Sequence, residues 1–215
     1  MGKDINFNHW KYSEYGDSRT HYTKHKIQPK QERTEILMDI VMECVTESVI
    51  LDRVQFIKIC EFGCNNGRNL MPFYDIGMDV YGYDICALAL DAARDSMNRC
   101  SANFKNIDLF NQHSELSSVS DDYYDFSFTM GFLMHLPKSQ NKNSLIKEII
   151  RVSKNVLIYE LFRPGGIEES YPEDGWYLSE MDYNECDSRF NQLHTAHVMH
   201  GNRHMKVWLL EKNVQ

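Results

Sequence analysis

Three features of this 215-residue chain predict an α/β fold. The predicted architecture is a seven-stranded, mostly parallel sheet with helices on both faces and an antiparallel hairpin at its C-terminal end. First, short apolar runs alternate with helix-spaced segments from residue 56 to residue 161. Second, a turn bearing Gly63 and Gly67 follows the first of those runs. Third, two strand-like runs near the end are separated by Gly201-Asn202-Arg203. Alternation of strand and helix makes the strands parallel, because each crossover helix returns the chain to the same end of the sheet. A tight turn between two strand-like runs makes them antiparallel.

Residues 1–26 are polar, rich in aromatics and without clean periodicity, and are read as short helical turns and loops. A helix is predicted from Pro29, with Ile36, Leu37, Ile40, Val41, Cys44 and Val45 on one face. FIKICEF (56–62) is a first buried strand, followed by a short helix from about Arg68. DVYGYDI (79–85) is the second strand, and Ala87 to Arg99, rich in good helix formers, is the next helix. NFKNIDL (103–109) and YYDFSFTM (123–130) are the third and fourth strands. Ser139 to Val152 is a helix with Leu145, Ile146, Ile149 and Ile150 inward, and NVLIYEL (155–161) is the fifth strand. Arg163 to Gly175 reads as a long loop over a site. LHTAHVMH (193–200) and HMKVWLLEK (204–212) form the closing hairpin.

Composition removes several classes of function. Hydrophobic residues make up 42% and charged residues 25%, as in globular domains. A net charge of -8 argues against a phosphate-binding surface for nucleic acid, although basic residues gather between Arg19 and Lys30. The six cysteines contain no CxxC pair and read as free thiols. No window resembles a membrane span or a leader, and Asn6 stands where a myristoylated Gly2 would need Ser or Thr. The expected setting is cytoplasmic. His194, His197, His200 and His204 do not share one strand face, so no metal site is expected.

The stretch KICEFGCNNGRNL (58–70) carries the chemistry. In an open parallel sheet, ligands bind beyond the carboxyl ends of the strands, where Gly63 lies. The loop is a GxxxG without the middle glycine of the dinucleotide fingerprint GxGxxG. Glu61, just before it, would repel a diphosphate and suit a ligand carrying an ammonium or sulfonium group. A plain strand-to-helix turn is the competing reading. Asp84 closes the second strand, seventeen residues after Gly67. A carboxylate there can accept two ribose hydroxyls, and can equally cap the helix from Ala87. HSEL (113–116) follows the third strand, and FTMGFLMHLP (128–137) the fourth.

With these motifs the chain resembles class I S-adenosylmethionine-dependent methyltransferases over nearly its whole length. The resemblance implies a Rossmann-like fold and S-adenosyl-L-methionine as cofactor. It implies that Glu61, Gly63, Asn65 and Gly67 hold the amino-acid end of that cofactor and Asp84, with Ile85 beside it, the ribose. Ser114 and Glu115 would meet the adenine, and Met130 would line the methyl donor. A narrower likeness, to methylases associated with pseudaminic acid biosynthesis, rests on EFGCNNGRNL, SEL, TMGFLMHLP, YELFRP and the N-terminal Trp10, Tyr15 and Gly16. It implies a nonulosonic-acid-type or other surface sugar as methyl acceptor. The loop departs from the family pattern at Cys64 and Arg68, and residues 167–183 diverge.

Methyl transfer to oxygen or nitrogen needs alignment and a group to take the proton. His135 is the candidate base, and a packing or capping residue on the other reading. Glu160 would orient the acceptor, or pair with Arg163. Trp10 and Tyr15 would lid the cofactor, or fill a small core of their own. Residues 1–50 are expected to form a helical cap over the cofactor site and 51–215 the methyltransferase core, together one structural unit. The expected partner is a small-molecule methyl acceptor, with no nucleic acid or membrane, in a monomer or homodimer. Two alternatives stand: a non-catalytic S-adenosylmethionine-binding module, and a nicotinamide-dependent sugar oxidoreductase.

Overall fold

The computed structural model describes residues 37–42, 55–97, 102–136, 140–161, 190–200 and 203–212. Five parallel strands form its centre: β1 (Lys58–Phe62), β2 (Asp79–Asp84), β3 (Ala102–Asn106), β4 (Tyr124–Met130) and β5 (Ser153–Leu161). They lie side by side in the order β3-β2-β1-β4-β5. The order reverses between β1 and its neighbours β2 and β4, so the carboxyl end of β1 faces a crevice. Helices α1 (Met71–Asp75), α2 (Ala87–Ser96), α3 (Leu109–Gln112) and α4 (Gln140–Arg151) make the connections. Phe190–His200 and Arg203–Lys212 are extended as well.

The sheet separates two apolar clusters, because successive side chains of a strand point to opposite faces. Ile59 of β1, Phe126 and Phe128 of β4 and Leu157 of β5 face one cluster, which Leu37, Val41, Leu70, Phe73 and Leu90 complete. Leu37 and Val41 belong to the helical residues 37–42, one turn apart on the predicted inner face. Cys60 and Phe62 face the other cluster, with Val156, Ile158 and the four α4 residues Leu145, Ile146, Ile149 and Ile150. β4 carries Ser127 and Thr129 as well as Phe126 and Phe128 in its buried stretch, so both of its faces are covered even though its sequence alternates.

Aromatic rings fill much of the second cluster. Phe62 stacks on Tyr83 with centroids 5.4 Å apart, and the hydroxyls of Tyr83 and Tyr124 are hydrogen-bonded at 2.6 Å. Pairing the two hydroxyls removes the cost of burying each alone. Arg151, at the end of α4, donates to the carbonyls of Val119 and Leu116, both at 2.9 Å, and so fastens the approach to β4.

β1 begins at Lys58 rather than 56 and β5 at Ser153 rather than 155, and two further boundaries shift for a visible reason. β3 ends at Asn106, not at residue 109, because the Asp108 side chain accepts the Asn111 backbone N–H and starts α3. The helix expected from about Arg68 begins at Met71, after a turn in which the Leu70 and Met71 amides both donate to the Gly67 carbonyl. Met97 closes α2, and residues 98–100, where it was predicted to end, lie outside the described residues.

Gly82, in the middle of β2, is packed too closely to carry a side chain. An added Cβ would stand 2.6 Å from both Cys64 Sγ and the Phe104 ring. Gly82→Ala should destabilise the protein by about 1–3 kcal/mol through overpacking. Adding Cys64→Ala should recover part of that loss in a urea-denaturation double-mutant cycle. Strict additivity of the two changes would contradict the contact.

Candidate functional site

The turn after β1 is built on a peptide carbonyl and a carboxylate of the neighbouring strand. The Gly63 and Cys64 amides donate to the Tyr83 carbonyl at 2.8 and 3.1 Å. The Asn65 amide then donates to Asp84 Oδ2 and the Cys86 amide to Asp84 Oδ1, both at 2.8 Å. Asp84 therefore ties the loop after β1 to the loop after β2. It does not cap α2 from the N-cap position, which Cys86 occupies without a side-chain bond. Burial pushes the Asp84 carboxyl above its ordinary value, and the amides of Cys86, Asn65 and Ile85 oppose that shift.

Within the loop Gly63, Asn65 and Gly67 all have left-handed backbones, with φ of 76°, 51° and 72°. Glycine adopts this conformation freely, and asparagine is among the few side chains that tolerate it. Asn65 stands where a dinucleotide loop has its middle glycine, so the backbone path survives that substitution. Its own Oδ1 accepts the Asn66 amide at 2.8 Å. Gly63 is required for a second reason: an added Cβ would lie 2.4 Å from the Phe132 ring, which packs on it from the segment after β4.

Glu61 is 1% exposed, on the first-cluster face of the sheet. Its Oε1 accepts Asn69 Nδ2 at 2.6 Å, and its Oε2 has no hydrogen-bond partner among the described residues. Burial drives its pKa to about 8, against the Asn69 bond and the charge of Arg68, while Asp84 adds to the rise. A carboxyl with that value is largely protonated at neutral pH. The standing negative charge expected in front of the loop is thus suppressed by desolvation when no cation is near.

Cys64 and Arg68, the departures from the family pattern, part ways. Cys64 is buried against Gly82 and its thiol pKa is raised by burial, so it packs as a small apolar group. Arg68 is half-buried and acts on Glu61 through space.

The remaining predicted residues scatter more widely. Ile85 is half-buried between β2 and α2. Met130 is half-buried at the last position of β4, just before Gly131, whose φ is 67°. His135 is half-buried at the end of the 3-10 turn Leu133–His135, its amide donating to the Phe132 carbonyl at 3.0 Å. Ser114 and Glu115 are exposed on the 3-10 helix His113–Ser118, and Glu115 lies 3.6 Å from Lys105 Nζ. Glu160 is next to last in β5. Trp10 and Tyr15, with all of the expected 1–50 cap except residues 37–42, lie outside the described residues, as does the Arg163–Gly175 loop. Sequence reasoning passed over three groups at the site: Asn69, the partner of Glu61; Phe132, on Gly63; and Thr129, fully buried with its hydroxyl unpartnered among the described residues. Asn69 is the third asparagine of a polar loop, and nothing in the sequence singled it out.

Residues 59–155 match a family model described as a methyltransferase domain. No curated protein sequence matches the chain. Similar solved structures include magnesium protoporphyrin IX methyltransferase (ChlM) from Synechocystis PCC 6803 with bound SAM. It is 16% identical, with 98% of this chain and 93% of that chain covered and a TM-score of 0.63. A structure described under the conversion of a disulfide bond into a thioacetal group during echinomycin biosynthesis is 11% identical, covering 91% and 85%, with a TM-score of 0.61. The CurJ carbon methyltransferase is 13% identical, covering 83% of this chain and 54% of that one, with a TM-score of 0.60. At these identities the likeness is one of fold, and the fold is Rossmann-like, as in these methyltransferases.

The Glu61 carboxyl has a consequence for stability. Its folded value of about 8 lies above the ordinary 4.5 of the unfolded chain, so the native state binds more protons between them. The stabilisation is complete below about 4.5, declines as pH rises, and is gone above about 8. Tm should fall by several degrees from pH 5 to pH 8, since about 1 kcal/mol moves Tm roughly 2–4 °C at this size. Glu61→Gln should flatten that decline in thermal unfolding scans; an unchanged slope would assign it to other groups.

Proposed function

We propose that the chain is an S-adenosylmethionine-dependent methyltransferase acting on a small molecule. The observation that carries this reading is the Gly63–Gly67 loop, with three left-handed residues, held against Asp84 at the carboxyl ends of β1 and β2. The methyltransferase-domain match over 59–155 and the fold shared with an S-adenosylmethionine-bound enzyme support it.

The residues present fit that cofactor. Glu61 Oε2 is a buried acceptor with no described partner, suited to a cationic amino-acid end. Asp84 has given one amide bond to each oxygen, and a carboxylate has lone pairs left for ribose hydroxyls. When bound, the cofactor supplies an electrophilic methyl group on a sulfonium. Around it Gly63, Asn65 and Gly67 would present backbone to the amino-acid end, and Ile85 would flank the ribose. Ser114 and Glu115 would meet the adenine edge, Met130 would line the reacting end, and Trp10 and Tyr15 would exclude water from above. His135 would take the proton from an oxygen or nitrogen nucleophile, and Glu160 would orient the acceptor. A base matched to neutral pH makes histidine apt for that step.

The finer reading extends the sheet and narrows the substrate. In it Phe190–His200 and Arg203–Lys212 would pair antiparallel with each other and the second with β5, which would make seven strands with a terminal hairpin. Residues 1–50 would cap the site on the core of residues 51–215. The likeness to pseudaminic-acid-associated methylases favours a nonulosonic-acid-type or other surface sugar as acceptor. The acidic balance favours a small molecule over nucleic acid, and the setting we propose is cytoplasmic, as a monomer or homodimer.

Isothermal titration with S-adenosylmethionine and S-adenosylhomocysteine tests the reading. Both should bind, and Asp84→Ala, checked for folding by circular dichroism, should weaken binding at least about tenfold, the loss of one charge-assisted hydrogen bond. Absence of binding by both ligands, or binding of NADH instead, would overturn it. Binding without turnover of any sugar acceptor would favour the non-catalytic module.

A further inference from the structure

We infer that Glu61 holds a proton in the free protein and releases it to solvent when a cationic ligand settles on the Gly63–Gly67 loop. Ligand binding would then be coupled to the loss of one proton. The inference rests on the reading of this loop as an S-adenosylmethionine site.

The geometry that carries it is the enclosure of Glu61. The side chain is 1% exposed, one oxygen is bonded to Asn69, and the other has no described partner. Removing a carboxylate from water is costly unless a positive charge and further donors replace the lost hydration. Among the described residues, the groups around it do not supply that replacement. Its own strand brings Cys60, the loop brings Cys64 and Arg68, and β2 brings Asp84. β4 brings Phe128 opposite Glu61, and helical residues 37–42 turn the apolar Leu37 and Val41 inward. Arg68 favours ionisation and Asp84 opposes it. The neutral acid is accordingly the resting form, in line with a pKa of about 8.

A ligand bearing an ammonium, or an ammonium and a sulfonium, changes that balance. Its charge would lie near Glu61 in surroundings that screen poorly, and a nearby opposite charge favours the ionised carboxyl. The O–H bond of Glu61 breaks, its electron pair stays on the carboxylate, and the proton passes to buffer. Nothing is oxidised or reduced. Because one proton leaves per ligand bound, affinity rises with pH until the free acid has already ionised.

The test is calorimetry on the full chain at pH 6.5, where the ligand's own amine, with a pKa of about 7.7–8.0, stays charged throughout. Titrations run in buffers of different ionisation enthalpy, with S-adenosylmethionine, S-adenosylhomocysteine and 5′-methylthioadenosine, which lacks the amino-acid end. The first two should release close to one proton, and their Kd should fall nearly tenfold from pH 6 to pH 7. Methylthioadenosine should release none. In Glu61→Gln the observed enthalpy should become independent of buffer and Kd of pH. Binding of S-adenosylmethionine with a buffer-independent enthalpy in the unmodified protein would overturn the coupling and leave the cofactor reading intact. Release that persists in Glu61→Gln would also overturn it, by moving the proton to another group. Absence of any binding would overturn both readings together. Should Glu61→Gln fail to fold, the buffer series on the unmodified protein still decides.

Discussion

Two hydrogen bonds to one carboxylate organise this site. Asp84 accepts from Asn65 in the loop after β1 and from Cys86 in the turn after β2. These segments are contiguous with neighbouring parallel strands, so the carboxylate acts as a rivet at the end of the sheet. It satisfies two amides that neither strand ladder nor helix would otherwise use. With the Tyr83 carbonyl, which takes the Gly63 and Cys64 amides, it fixes every residue from Gly63 to Asn65 relative to β2. The left-handed backbones of Gly63, Asn65 and Gly67 are the local cost of that path, tolerated because the residues chosen are those with the smallest penalty.

Below the rivet lies the opposite kind of group. Asp84 is half-buried and held by backbone amides, whereas Glu61 is enclosed and short of partners. The contrast separates two carboxylates at the ends of adjacent strands: burial raises both, three backbone amides oppose the rise at Asp84, and Glu61 is pushed toward neutrality. A buried polar group this close to a loop is expensive to keep unless it has a partner part of the time. Enclosed acids of this sort are found where ligands arrive, and structural networks also produce them.

Much of this was legible in the sequence, and the reasons are local. Strand-like segments alternating with helix-spaced ones gave away β1, β2, β4 and β5, and spacing placed Leu145, Ile146, Ile149 and Ile150 of α4 inward. Asn65 entered through the family resemblance, and its left-handed backbone, which asparagine tolerates, is seen only in the structure. What the sequence did not reveal depends on contacts distant along the chain. The Glu61–Asn69 bond closes across a whole turn, and the neutrality of Glu61 comes from burial that no residue type announces. The end of β3 was misplaced because Ile107 and Leu109 look like strand residues, yet Asp108 between them caps a helix. Ser114 and Glu115 were chosen by their distance after β3, and the 3-10 helix that carries them leaves both exposed. The oddity of Cys64 dissolves once Gly82 is seen beneath it, since the thiol fills the space a side chain on β2 would have taken.

That thiol has a further use. Cys64 is wedged between the loop and β2, fully enclosed, with its ionisation suppressed by burial and by the neighbouring carboxyls. Alkylating reagents attack thiolates they can reach, so the folded strand end shields it. Its modification must wait for the loop to lift from β2, which makes the rate of labelling a clock for the opening of this one corner of the sheet.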